Sequence, residues 1–207
     1  TCRDWFQLCL KEGLTVFREQ EYMAQGTRGL TNRIEEVQFL LKTQFAEDAG
    51  PLSHAVRPDQ YKEINNFYTA TVYEKGAEII RMLKIISGEE KYGKALQQYF
   101  TKYDGKASTV EDLREVFEGQ LGTSLANFFY WYSEKGTPKL KVDEQYYDGI
   151  YKAEITQELL NSNGHSVCKV IPIAYTIMSN KGKELVGPSL LVHDKPKKTI
   201  SLKNKKE

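Results

Sequence analysis

The acidic residue at position 12 is the first that could do chemistry. Glu12 lies within Trp5-Phe6-Gln7-Leu8-Cys9-Leu10-Lys11-Glu12-Gly13-Leu14-Thr15-Val16-Phe17, a stretch that is apolar on nearly every side. Read as a helix, the apolar residues at 5, 6, 8, 9, 10, 14, 16 and 17 leave no clean polar face, which marks a core helix. Glu12 then stands one turn from Leu8 and two from Trp5 on one stripe. An ionised carboxylate left unpaired there would cost several kcal/mol or take up a proton. Its expected partner is therefore a basic residue, a cage of hydrogen bonds or a metal ion, and the plainest reading is a structural salt bridge. A mid-helix glycine costs about 1 kcal/mol against alanine, so Gly13 points to a close approach by a second helix or a ligand.

The second candidate is Tyr73, in Asn65-Asn66-Phe67-Tyr68-Thr69-Ala70-Thr71-Val72-Tyr73-Glu74-Lys75-Gly76-Ala77. Tyr68 and Tyr73, five apart and followed by an acid, a base and a glycine, make a dense polar and aromatic cluster entering a helix. A tyrosine hydroxyl beside a Lewis acid can donate a hydrogen bond to an oxyanion, which is worth a few kcal/mol in a dry site. On spacing alone the plainer reading is a packed aromatic at a helix start.

Helical periodicity positions these residues. Val72, Ile79, Ile80, Leu83 and Ile86 predict one helix ending at Ser87-Gly88, and Tyr92, Leu96, Tyr99, Phe100 and Tyr103 a second ending at Asp104-Gly105. A third opens on a capping-box pattern at Ser108-Thr109-Val110-Glu111, and a fourth, entered at Thr123-Ser124, carries Phe128, Phe129, Trp131 and Tyr132. The aromatic spacing reads as core and not as a stacking platform for ligands or bases. From about Phe45 to Tyr61, the residues Gly50-Pro51, His54 and Arg57-Pro58 predict a long irregular connection.

Near Gly136-Thr137-Pro138 the pattern turns from helical to alternating, which places a domain boundary there: residues 1–136 helical, residues 137–207 a partial antiparallel β-sandwich. Leu140 and Val142 alternate with lysines, and Tyr147-Asp148-Gly149-Ile150 predicts a hairpin turn. Val170 to Met178, Leu185-Val186, Leu190-Leu191-Val192 and Thr199-Ile200-Ser201-Leu202 read as further strands, for a total of about five or six. The expected fold class is α+β.

Lys and Arg number 29 against 28 Asp and Glu, a net charge of +1, so no global field draws the chain to nucleic acid or anionic membrane. The basic run from Lys195 to Lys206 reads as a solvated strand edge or frayed end. Cys2, Cys9 and Cys168 are odd in number and lack CxxC spacing, which argues against a disulfide framework or a cysteine zinc site and fits a reducing, cytoplasmic setting. No apolar run approaches the roughly 20 residues that span a bilayer.

Together the strings WFQLCLKEGLTV (Trp5 to Val16) and NNFYTATVYEKGA (Asn65 to Ala77) resemble the aminopeptidase N family of zinc metallopeptidases, in its cytosolic, PepN-like branch. Thr1-Cys2-Arg3-Asp4, Gln44 to Ala49, Pro51 to His54 running on to Arg57-Pro58, and Trp131-Tyr132-Ser133 leading to Gly136-Thr137-Pro138 add to the match. The resemblance is dense over residues 1 to about 138 and thins in the β part. It implies the C-terminal helical half of a thermolysin-like catalytic domain. It assigns Glu12 as the third ligand of a catalytic Zn2+ and Tyr73 as the donor to the tetrahedral oxyanion. Tyr68 becomes an aromatic lining the pocket for the first side chain of a peptide substrate.

In that family the other ligands are two histidines of a His-Glu-x-x-His helix, with eighteen residues between the second histidine and the glutamate. Only eleven residues precede Glu12, and His54, His165 and His193 form no i,i+4 pair. The resemblance therefore implies that the histidine ligands, the general base and further domains lie in the same polypeptide outside this sequence. It also implies that the chain alone binds no catalytic zinc and cleaves nothing. Two rivals keep the fold: a non-catalytic peptide-binding or scaffolding relative, and a member with another hydrolytic activity such as the epoxide hydrolase branch. Glu12 and Tyr73 argue against the first, and the local strings sit closer to the peptidases than to the second.

Overall fold

A computed structural model describes residues 2–161 and 163–203 of the chain, so the end of the basic tail, with Lys205 and Lys206, lies outside the described residues. The architecture is α+β, and the chain divides into two compact units, Thr1–Thr137 and Pro138–Glu207.

The first unit is helical. After a 3-10 turn at Trp5–Gln7 come α1 (Leu8–Ala24), α2 (Gly29–Ala49), α3 (Gly76–Ser87), α4 (Glu89–Tyr103), α5 (Val110–Leu121) and α6 (Ala126–Ser133). A second 3-10 turn spans Ile64–Phe67, and a π-helical segment, Thr71–Lys75, runs directly into α3. Leu8, Cys9, Leu10, Leu14 and Phe17 of α1 pack into a core shared with Ile79, Ile80 and Leu83 of α3 and the predicted aromatics Phe117, Phe128 and Tyr132. Gly88, at φ 76°, and Gly122, in the left-handed region, end α3 and α5 where a side chain would be strained.

Three expectations for the helical unit need correction. The α-helix begins at Leu8, and Trp5 lies in the 3-10 turn with 41% of its surface exposed. The capping box sits one residue later than the sequence pattern indicates: Thr109 Oγ1 accepts from Asp112 N at 3.2 Å while Asp112 Oδ2 accepts from Thr109 N at 2.8 Å. Ser108 is instead committed to the Tyr99 hydroxyl, 2.8 Å away, and Glu111 to an ion pair with Arg57. The third correction is α2 itself, which runs to Ala49, so the irregular connection starts at Gly50 and not near Phe45. Helical periodicity could not reveal α2, because Leu30, Ile34 and Leu41 face outward, Leu30 with 86% of its surface exposed, while its buried positions are the polar Gln44 and Asp48.

The second unit holds a three-stranded antiparallel sheet, β1 (Lys139–Tyr147), β2 (Ile150–Glu158) and β5 (Lys197–Lys203) in the order β1-β2-β5, and a two-stranded sheet of β3 (Ile171–Met178) and β4 (Glu184–His193). β1 and β2 meet at Tyr147↔Ile150 through the Asp148-Gly149 turn, both residues at positive φ. Leu185-Val186 and Leu190-Leu191-Val192, expected as separate strands, are one strand. Between the pairs Tyr175↔Ser189 and Ile177↔Val186 the register shifts, so Gly187 and Pro188 lie opposite Thr176 alone, a bulge that absorbs a proline with no N–H to give.

Buried polar groups tie the two sheets together. Lys169 N donates to Gln157 Oε1 at 2.7 Å, and Gln157 Nε2 donates to Lys169 O at 2.9 Å, which fixes the orientation of the amide. That amide nitrogen also faces His193 Nδ1 at 3.3 Å, and His193 Nε2 lies 3.0 Å from Ile155 O. The amide can only donate and the carbonyl only accept, so His193 carries its proton on Nε2. The residue is fully buried and serves the fold of this unit.

Candidate functional site

The crossing of α1 with the start of α3 sets the geometry. A Cβ built on Gly13 would stand 2.7 Å from the Gly76 carbonyl carbon and 2.9 Å from Gly76 Cα, and one on Gly76 would stand 3.2 Å from Gly13 Cα. Only two glycines facing each other allow backbones this close. The close approach signalled by Gly13 is thus to a helix. It sets Glu12, one residue before Gly13, beside Tyr73, three residues before Gly76.

Glu12 is largely covered, with 15% of its side chain exposed, and Lys11 Nζ lies 2.7 Å from Glu12 Oε1. The Tyr73 hydroxyl stands near enough to Glu12 for the carboxylate charge to act on it. Burial, then the charge of Glu12 beside it, push the Tyr73 phenol above its ordinary value, so the hydroxyl stays protonated and able to donate. Of the partners open to Glu12 from sequence, the structure supplies a basic residue, Lys11.

Tyr68 closes the 3-10 turn at Ile64–Phe67, its ring centroid 6.3 Å from that of Tyr73 and 54% of its surface exposed. Asn66 Oδ1 accepts from Glu63 N at 3.0 Å and holds this turn, while Phe67 anchors it among Trp5, Phe6 and Tyr61 with ring centroids 5.0–6.4 Å from its own. The structure therefore brings Glu12, Tyr73 and Tyr68 to one place.

The chemistry of the donor set fits a metal only in part. Glu12 offers a carboxylate of the right type, but among the described residues no three His, Cys, Asp or Glu side chains converge on a point where an ion could sit. His54 is engaged elsewhere, Nδ1 with Ala55 O at 2.7 Å and Nε2 with Glu47 Oε1 at 3.0 Å, and His193 is in the other unit.

Behind Tyr73 lies a feature that sequence reasoning missed. Lys75 Nζ reaches Asp48 Oδ2 at 2.5 Å, with 7% and 1% of the two side chains exposed, and donates to Gly136 O at 3.1 Å. Asp48 also accepts from Thr137 Oγ1 at 2.9 Å and Gly136 N at 3.3 Å. Burial opposes the charge on Asp48. The Lys75 ammonium, with hydrogen bonds from Lys75 and Thr137, outweighs it and holds the carboxyl below the usual carboxylate range. One turn earlier on α2, Gln44 Nε2 donates to Thr71 Oγ1 at 3.3 Å. The only signal available in sequence was the equal i,i+4 spacing of Gln44 with Asp48 and of Thr71 with Lys75.

Comparison with known proteins follows the same residues. The model of the peptidase family M1 domain matches residues 1–132. Aminopeptidase N of Haemophilus influenzae is 50% identical over 156 residues, 75% of this chain and 18% of that protein. Aminopeptidase N of Escherichia coli is 44% identical over 187 residues, 88% of this chain and 22% of that protein. Among solved structures, Legionella pneumophila aminopeptidase A in complex with aspartic acid superimposes with a TM-score of 0.80 at 31% identity, over 99% of this chain and 22% of that one. The chain thus spans about a fifth of the length of the relatives it matches. On the extent of the family match and the identity to these aminopeptidases, the chain belongs to peptidase family M1.

Proposed function

We propose that this chain is one wall of the active site of a zinc-dependent aminopeptidase, which removes residues from the N-termini of peptides and whose remaining parts lie in the same, longer polypeptide. The observation that carries this reading is the backbone crossing of Gly13 and Gly76, which sets the Glu12 carboxylate beside the Tyr73 phenol in a chain of a peptidase family. Glu12 would hold the zinc ion as one of its protein ligands, and the ion when bound would supply Lewis acidity to water and to the scissile carbonyl. Tyr73 does the rest of what this chain contributes: its protonated hydroxyl donates to the oxyanion formed as water adds to that carbonyl, before the C–N bond breaks and the amine leaves with a proton. Tyr68, exposed beside it, offers an apolar ring to the first side chain of the peptide. Since the described residues bring a single carboxylate to this place, the chain alone would hold no catalytic zinc and would be inactive. Three free cysteines fit a reducing compartment, the cytoplasm, and no helix among the described residues is long and apolar enough to cross a membrane.

The test uses the full-length polypeptide. Glu12→Gln should lower the zinc content measured by elemental analysis, while Tyr73→Phe should keep zinc and lower kcat by about 10²–10³, the usual effect of removing an oxyanion donor. Full zinc content and full turnover in both variants would contradict the reading and favour a non-catalytic scaffold.

A further inference from the structure

We infer that Gln44 and Asp48 are positioning residues for Tyr73, holding the π-helical segment at the rotation that aims its hydroxyl at Glu12; the inference rests on the role proposed for Tyr73. A π turn is locally less favourable than an α turn and persists where its surroundings hold it. Here both ends are held from one side. Gln44, on α2, donates to Thr71, the first residue of the segment, and Asp48, one turn on, pairs with Lys75, the last. All four residues are buried, Thr71 completely. Gln44 and Asp48 stand one turn apart on α2, so the two grips act from one helix.

Thr71 and Lys75 share a face of the segment, and Tyr73, midway between them, projects from the opposite one. The clamp therefore lies behind Tyr73 and Glu12 in front of it. On the front side the Gly13–Gly76 contact fixes how far apart the two backbones stand. It leaves the rotation of the segment about its own axis to the clamp. A hydroxyl displaced by about 1 Å from its target is enough to reduce turnover by as much as ~10²-fold. Asp48, through Gly136 and Thr137, also joins the segment to the residues that follow α6.

The deciding experiment is a double-mutant cycle in the full-length enzyme, read as kcat, KM and zinc content. Gln44→Ala should lower kcat about tenfold with KM within about twofold and zinc unchanged, and in a Tyr73→Phe background the same substitution should change kcat less than about twofold. Thr71→Val removes the same hydrogen bond from the other side while keeping the shape, and should repeat the result if Gln44→Ala does not fold. An equal fold-loss in both backgrounds, or no loss in either, overturns the positioning role and leaves the function of Tyr73 intact. A fully active Tyr73→Phe enzyme overturns both.

Discussion

Gly13 and Gly76 meet backbone to backbone, so close that a methyl group on Gly13 would stand 2.7 Å from the carbonyl carbon of its partner. The missing side chains set the separation of α1 and α3, and with it the distance between a carboxylate and a phenol.

Gly13→Ala should accordingly destabilise the protein although alanine favours helix by about 1 kcal/mol. Overpacking against backbone costs typically 1–3 kcal/mol or more and cannot be relieved by a side-chain rotation. Gly93→Ala in α4, where a Cβ would meet nothing within 4 Å, should instead raise stability by up to about 1 kcal/mol. Urea unfolding of the two variants checks the contrast, and equal midpoints would contradict the close crossing.

The Asp48–Lys75 pair should make stability depend on acid. The folded state holds the Asp48 carboxyl below its ordinary value of 3.8, so its contribution is complete above that value and is lost as pH falls through the folded pKa. Asp48→Asn, which leaves Lys75 buried without its counter-charge, should lose about 3–5 kcal/mol at neutral pH. The gap from the unsubstituted protein should narrow as pH drops below about 4. A gap independent of pH from 7 to 3 would show that the charge on Asp48 contributes nothing.

At the start of α5, Thr109→Ala should cost about 1 kcal/mol, the usual value for a lost N-cap. Asp112→Ala should show a similar loss, because the two side chains cap reciprocally. Thermal unfolding reads both, and an unchanged melting temperature in each would contradict the observed cap.

In the β unit, His193→Ala should take the imidazole from the Ile155 carbonyl in a dry interior, at about 1–3 kcal/mol, while the Gln157 amide keeps its two bonds to Lys169. Hydrogen exchange at Ile155 and Gln157 would accelerate. Unaltered protection there would mean that the histidine does not tie the two sheets.

Much of the site is legible in the sequence because its residues break local rules. Glu12 is an acid in an oily helix and Gly13 a glycine where alanine would serve better, and each violation marks a neighbour that the structure supplies in Tyr73 and Gly76. The partners themselves lie about 60 residues away, and no periodicity encodes which helix crosses which. α2 escaped for the opposite reason: its outward Leu30 and Ile34 and inward Gln44 and Asp48 invert the pattern by which amphipathic helices are found. Gly187-Pro188 reads in the sequence as a break between two strands, because a bulge that tolerates proline depends on the register of the neighbouring strand.

The account turns on what Glu12 faces when the enzyme is complete. Anomalous diffraction at the zinc edge, from crystals of the full-length polypeptide, measures this directly. The prediction is a zinc ion about 2.0–2.2 Å from a Glu12 carboxylate oxygen, with the Tyr73 hydroxyl on the same side of the cleft. A zinc ion bound elsewhere, with Glu12 still paired to Lys11, would contradict it.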